Sequence, residues 1–160
     1  MVSGMEWPDA FYRLLDGDGC PLCTDGRPAE NEHGVRFFAG TWCDAYLQRA
    51  AIQRGYSVVV WRGRHVAEPT RLTADEAAGF WVELLLVGRG LEAHFTPVKL
   101  NYELLGNSLP HLHAHVIPRY ADDPKPGWPF PFPSEPHSAR PDDELRDDVA
   151  ALSLLVESTS

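Results

Sequence analysis

The run His111-Leu112-His113-Ala114-His115-Val116-Ile117 constrains this chain more than any other stretch, because its polarity alternates with a period of two. Side chains of a β-strand alternate between faces. A strand here would put three imidazoles on one side and Leu112, Ala114 and Val116 on the other. Neighbouring rings would then lie about 6–7 Å apart, two rises of ~3.3 Å. Burying the apolar side would hold the row in place, and a row of imidazoles can act as nucleophile, acid, base or metal ligand near neutral pH. A half-buried strand with a histidine-rich polar face is the plainer reading. Three of the chain's seven histidines in strict alternation weigh against it.

At 160 residues, the chain is expected to be one domain (residues 1–160) with a sizeable core. A net charge of −9 and the lack of a Lys/Arg run argue against a nucleic-acid partner, whose backbone needs a basic footprint. A small nucleotide in a local pocket is compatible with that charge. Three cysteines, an odd number, point to a reducing compartment rather than a disulfide framework. Met1-Val2-Ser3-Gly4-Met5-Glu6-Trp7-Pro8 lacks the basic-then-apolar pattern of a signal peptide. The longest apolar run, around Phe80 to Val87, is broken by Glu83. A cytoplasmic protein with no membrane partner is expected.

Asp9 to Leu15 reads as a short helix stopped by Asp16-Gly17-Asp18-Gly19. Val35 to Ala39 and Tyr56 to Trp61 read as strands, while Asp44 to Arg54 is ambiguous between helix and irregular chain. Thr73 and Glu76 form a capping box. From there Ala77, Phe80, Trp81, Leu84, Leu85, Val87 and Leu91 recur at helical spacing to about His94. Gly88 and Gly90 weaken the second half of that helix. Pro97 starts an extended segment through Val98, Leu100 and Tyr102, and Leu104 to Pro110 is a loop into the histidine strand. Pro124, Pro126, Pro129, Pro131, Pro133, Pro136 and Pro141 make residues 121–141 irregular. Pro141 opens a last helix to about residue 157, with Leu145, Val149 and Leu152 on one face and Asp142, Asp143 and Glu144 favouring its N-terminus. Mixed strands and helices without a repeated βαβ pattern indicate an α+β class with an antiparallel sheet.

Cys20-Pro21-Leu22-Cys23 has the spacing of half a tetrahedral metal site. Unliganded thiols in a Gly-rich loop, or a redox pair, are the other readings. A thioredoxin-type pair needs a helix starting at the motif, which Gly26 and Pro28 oppose. Cys43 has no partner in sequence and reads as a packed thiol. Gly106-Asn107-Ser108 is ordinary turn chemistry. Its place directly before the histidines is what lets its backbone, amide and hydroxyl serve phosphate oxygens.

Gly106 to Ile117 resembles the signature of the histidine triad family, a small polar phosphate-binding loop followed by alternating histidines and apolar residues. The likeness extends to Pro118-Arg119-Tyr120, to Trp128-Pro129, to Val58-Val59-Val60-Trp61 followed by Arg64-His65, and to Cys20-Pro21-Leu22-Cys23. It thus covers a core of roughly residues 20–129. The resemblance, to zinc-containing bacterial members of the Hint-like and Fhit-like kind, implies a five-stranded antiparallel sheet with one long helix, paired into a homodimer. It implies hydrolysis or transfer of nucleoside monophosphates from phosphoramidates, dinucleoside polyphosphates or related phosphoanhydrides.

By that resemblance His113 attacks the α-phosphorus, and a nucleotidyl-histidine intermediate predicts net retention at phosphorus. A neighbouring ring disfavours double protonation, and a backbone carbonyl on Nδ1–H would leave Nε2 free. His115 would be the phosphate-oxygen partner or the proton donor to the leaving group. Gly106, Asn107 and Ser108 would bind phosphate, with Asn101 near it and Trp128 on the leaving-group side. Cys20, Cys23, His65 and His111 would hold a structural Zn2+ with no open position, stapling the knuckle to the strand that presents His113.

Two positions depart from the family pattern. Tyr56 stands where many relatives carry a further histidine; a phenol hydrogen-bonds or stacks but does not carry a proton as imidazole does. Gln48, with Asp44 nearby, stands where relatives place a ribose-binding aspartate, so adenosine preference does not follow. A non-catalytic nucleotide-binding or regulatory module is the alternative to an enzyme. A catalytic metal centre built from the histidine row and the cysteine pair is a third reading.

Overall fold

A computed structural model describes residues 6–132 and 137–158. Met1 to Met5, and Pro133 and Pro136 of the proline-rich segment, lie outside the described residues. Five strands form one antiparallel sheet in the order β1-β2-β3-β5-β4. They are β1 Gly34–Ala39, β2 Cys43–Gln48, β3 Ser57–Trp61, β4 Lys99–Glu103 and β5 His113–Arg119. The helices are α1 Asp9–Leu15, the one-turn α2 Pro21–Thr24, the long α3 Ala74–Phe95 and α4 Asp142–Glu157. This is the α+β architecture that the sequence implies.

One face of the sheet carries the core. Ala45, Leu47, Val59, Trp61, Ala114 and Val116 are buried with Phe80, Leu84, Val87 and Leu91 of α3 and Leu145, Leu152 and Val156 of α4. The ambiguous Asp44–Arg54 stretch is strand as far as Gln48, because β1 and β3 pair with it on both sides. The capping box opens α3 as expected. Trp81 and Leu85, counted in its apolar stripe, are exposed: one helix face meets the sheet, and these two lie outside that sector. Gly88 does not break α3. The Tyr102 hydroxyl packs so close that any Cβ at Gly88 would collide with it. Close packing there offsets a propensity cost of about 1 kcal/mol. No helix among the described residues is long and apolar enough to cross a membrane.

Strand β5 begins at His113 rather than His111. Ahead of it, the Leu112 N–H donates to the Val66 carbonyl and the Leu112 carbonyl accepts from Trp61. His111, one residue earlier, turns its ring to the cysteine pair. The three imidazoles therefore do not form one row.

Candidate active site

His113 and His115 share the open face of the sheet. Their ring centroids lie 4.9 Å apart. That is closer than the strand repeat, because the rings lean together until their Nε2 atoms are 3.2 Å apart. One fixed group decides both tautomers. The His111 carbonyl, 2.6 Å from His113 Nδ1, can only accept. His113 Nδ1 therefore carries the proton, and Nε2 of the neutral ring is a lone pair. His115 Nε2–H must then donate to it, which leaves His115 Nδ1 as acceptor for the Tyr56 hydroxyl at 2.6 Å. The relay runs from Tyr56 through His115 and His113 to the His111 carbonyl.

Burial, and then the neighbouring His113 ring, lower the His115 pKa to about 4, so the ring is neutral at pH 7. Burial, helped by Glu103, pushes Tyr56 up to about 12, so the phenol keeps its proton. Tyr56 also stacks on His115 at 5.9 Å, and Phe132 meets it edge-on at 6.0 Å.

An unfolded histidine titrates near ~6.5, above the folded value, so on acidification the unfolded chain binds this proton first. The contribution of the neutral ring is whole above about pH 6.5 and is lost as pH falls towards about 4. Thermal midpoints recorded across that window should drop in the wild type, and drop less in His115→Gln.

The pair opens on a cavity of about 440 Å³. Its floor is the open sheet face at Tyr46, Val58 and Val60. Gly106, Asn107 and Ser108 line the same space. Gly106 takes a left-handed φ of 67°, which favours glycine. Gln48 faces the cavity. Asp44 is fully buried instead, gripped through both oxygens by Arg27 and in ionic contact with Arg36 at 3.6 Å and Arg62 at 2.6 Å. Leu22, Asp25 and Gly26 close one end.

A second cluster lies behind His113. Donor atoms of Cys20, Cys23, His65 and His111 all fall within 4.8 Å of one another. Cys20 and Cys23 Sγ are each 3.5 Å from His111 Nδ1, and Cys23 Sγ is 3.4 Å from His65 Nδ1. A tetrahedral ion with Zn–S of ~2.3 Å and Zn–N of ~2.0–2.1 Å separates S from N by about 3.5 Å, so the residues fit such an ion. His111 Nε2–H donates to the Trp61 carbonyl at 2.9 Å, which leaves Nδ1 as the ligand atom. Burial, opposed by that carbonyl, lowers the His111 pKa and keeps the ring in its ligand form. A helix does start at the cysteine motif, against expectation, but lasts one turn and ends before Gly26. Burial and the neighbouring Cys20 push the Cys23 thiol up to about 11, the opposite of a reactive redox thiol. Cys43 is a buried, packed thiol.

The profile of the HIT domain family matches residues 33–122, more than half of the chain. The chain belongs to the histidine triad family. Over 71 residues it is 34% identical to the bifunctional bis(5'-adenosyl)-triphosphatase/adenylylsulfatase FHIT of Arabidopsis thaliana. That match covers 41% of this chain and 39% of the relative. A histidine triad protein of Sinorhizobium meliloti superposes with a TM-score of 0.68 at 26% identity, over 75% of this chain and 87% of that one. A Zn-bound histidine triad protein of Mycobacterium smegmatis shares the fold, with a TM-score of 0.57 at 16% identity over 91% of this chain and 96% of that one.

In this histidine triad protein Asn101 and Trp128 do not join His113. They line a different cavity of about 470 Å³, past Ile117 along β5. Asn101 accepts a hydrogen bond from Arg119, and Trp128 is 68% exposed. The register explains it: Asn101 pairs with Ile117, and Glu103 is the residue opposite His115. Sequence reasoning missed Tyr46, Arg62, Glu103 and Phe132. The alternation of Asp44, Tyr46 and Gln48 is a signal for Tyr46, whereas Phe132 sits in an irregular stretch that carries none.

Proposed function

We propose that this histidine triad protein is a nucleotide hydrolase or transferase acting on a nucleoside 5′-phosphoramidate, a dinucleoside polyphosphate or a related phosphoanhydride. The observation that carries the reading is the His111 carbonyl on His113 Nδ1, which leaves the Nε2 lone pair beside the cavity and its polar loop. His113 Nε2 forms a bond to the α-phosphorus as the bond to the leaving group breaks. The phosphoryl group enters between the rings, the freed His115 Nε2–H donates a hydrogen bond to one of its oxygens, and the departing oxygen or nitrogen takes its proton from water, so that His115 stays a neutral ring. Backbone N–H groups, Asn107 and Ser108 steady the equatorial oxygens. Water or another acceptor then displaces His113, so two inversions give net retention. A substrate chiral at phosphorus tests this: retention supports the two-step path, and inversion would mean direct attack by the acceptor.

Tyr56 fixes the His115 tautomer. Tyr56→Phe is expected to lower kcat roughly threefold to tenfold, the worth of one hydrogen bond, with KM nearly unchanged in steady-state assays.

In this reading Cys20, Cys23, His65 and His111 hold Zn2+. The ion supplies a cross-link between α2 and the chain entering β5. Residues 1–160 act as one domain, and Cys20, Cys23 and Cys43, none of them in a disulfide, suit a reducing, cytoplasmic setting. The chain pairs into a homodimer through β4, which ends the sheet order, with Tyr102 and, on α3, Trp81 and Leu85 exposed. Light scattering should give twice the 17.9 kDa of one chain, and Trp81→Glu/Leu85→Glu should give a monomer.

A further inference from the structure

The end of the cavity away from His113 carries charge that the reaction does not use. Arg62, just past β3, has a side chain only 6% exposed. Its Nη2 donates to the Gly26 carbonyl at 2.9 Å. Its Nε lies 2.6 Å from Asp44, in ionic contact but angled so that no hydrogen bond forms, and is otherwise buried without a partner. Asp44 has already given both oxygens to Arg27. Of the five N–H groups on a guanidinium, the described residues satisfy one at Arg62. Nε is turned to Asp44, whereas Nη1 and the second Nη2 hydrogen have no partner among the described residues and Arg62 lines the cavity, so this end of the guanidinium fits an acceptor that arrives with a ligand. Asp25 lines the same cavity as an exposed carboxylate, whose one hydrogen bond among the described residues comes from the Thr24 hydroxyl at 3.4 Å.

Position says which part of a ligand arrives there. Val60 on β3 pairs with His113 on one side and Asp44 on the other. Asp44 therefore lies two strand spacings, about 10 Å, from His113. A nucleoside monophosphate spans that distance from its phosphorus to the outer edge of its base. With phosphate at His113, the nucleoside crosses Val58 and Val60 and brings its base edge to Arg62 and Asp25.

We propose that this end of the cavity selects a 6-oxopurine, guanine or hypoxanthine, over adenine. The assignment rests on the nucleotide reading above. O6 and N7 accept from the Arg62 fork, while N1–H, and N2 of guanine, donate to Asp25. Adenine keeps N7 and reverses the other two contacts. Its N6 amino group points donors at a guanidinium, and its bare N1 faces a carboxylate. A second anionic group on the ligand would meet Asp25 and be repelled.

Calorimetric titration of the full-length protein with GMP, IMP, AMP and adenosine 3′,5′-bisphosphate tests this. GMP and IMP should bind roughly tenfold tighter than AMP or more. Arg62→Met should erase the preference. Asp25→Ala, at an exposed position that folding tolerates, should weaken GMP and IMP without weakening AMP. Equal binding, or tighter AMP, overturns the base assignment and leaves the nucleotide reading standing. Tighter bisphosphate than GMP also overturns it, since Arg62 would then serve an anion. If none of the four binds, and UMP and CMP do not either, the nucleotide reading fails and this assignment with it.

Discussion

His113→Ala is expected to lower kcat/KM by about 10⁴-fold or more, while nucleotide affinity changes by less than about threefold. The large effect follows from the relay. Among the described residues that line the cavity, His113 combines a tautomer locked by a carbonyl with an Nε2 lone pair at the end of the relay. His115 cannot substitute, because the Tyr56 hydroxyl on its Nδ1 leaves a proton, not a lone pair, on its Nε2. Affinity survives because the Gly106–Ser108 loop and the sheet floor keep their contacts. His115→Ala removes a hydrogen-bond donor to the phosphoryl group rather than the nucleophile and should cost less, roughly 10²- to 10³-fold. Steady-state release of nucleoside monophosphate, with calorimetry on the same samples, separates the two quantities. A wild type that binds nucleotide tightly and turns nothing over would favour the non-catalytic module instead.

Removing the metal should be the second large effect, this time on stability. α1 and α2 bury no residues in the core, so the cluster of Cys20, Cys23, His65 and His111 is a principal tie between these two helices and the rest of the fold. His111 belongs to that cluster through its ring and to the relay through its carbonyl, so loosening one disturbs the other. Structural zinc contributes folding free energy outright. A loss of several kcal/mol, at about 2–4 °C per kcal/mol in a chain of this size, lowers Tm by about 10 °C or more. Scanning calorimetry before and after chelation, with metal content measured in parallel, checks this, and Cys20→Ser should behave like the chelated protein. A catalytic ion would give the opposite pattern: activity gone and Tm unchanged.

Period-two alternation in the sequence was enough to place His113 and His115 on one strand face, and Thr73 with Glu76 marked the start of α3. Both signals are local, and local chemistry decided both outcomes. The direction of His111 was not legible, because a strand template puts all three rings on one face. The chain pairs as β5 only from His113, and the Trp61 carbonyl and the cysteines orient the earlier ring. Asn101 shows a different limit. Its distance along the chain from the histidines suits a phosphate contact, but sheet register places Glu103 beside His115 instead. Register depends on how β4 and β5 pair, which no single segment encodes. Trp81 and Leu85 look like core by periodicity alone, and only the packed sheet shows that another sector of α3 is buried. Arg62 was invisible for a related reason: its significance lies in how few of its donors the folded chain satisfies.

The most direct test of the central claim is intact-mass analysis after a rapid alkaline quench of the protein with guanosine or adenosine 5′-phosphoramidate. The relay predicts a wild-type adduct of one nucleoside monophosphate that is absent from His113→Ala. Turnover without any adduct, or an adduct that persists in His113→Ala, would contradict nucleophilic attack by His113.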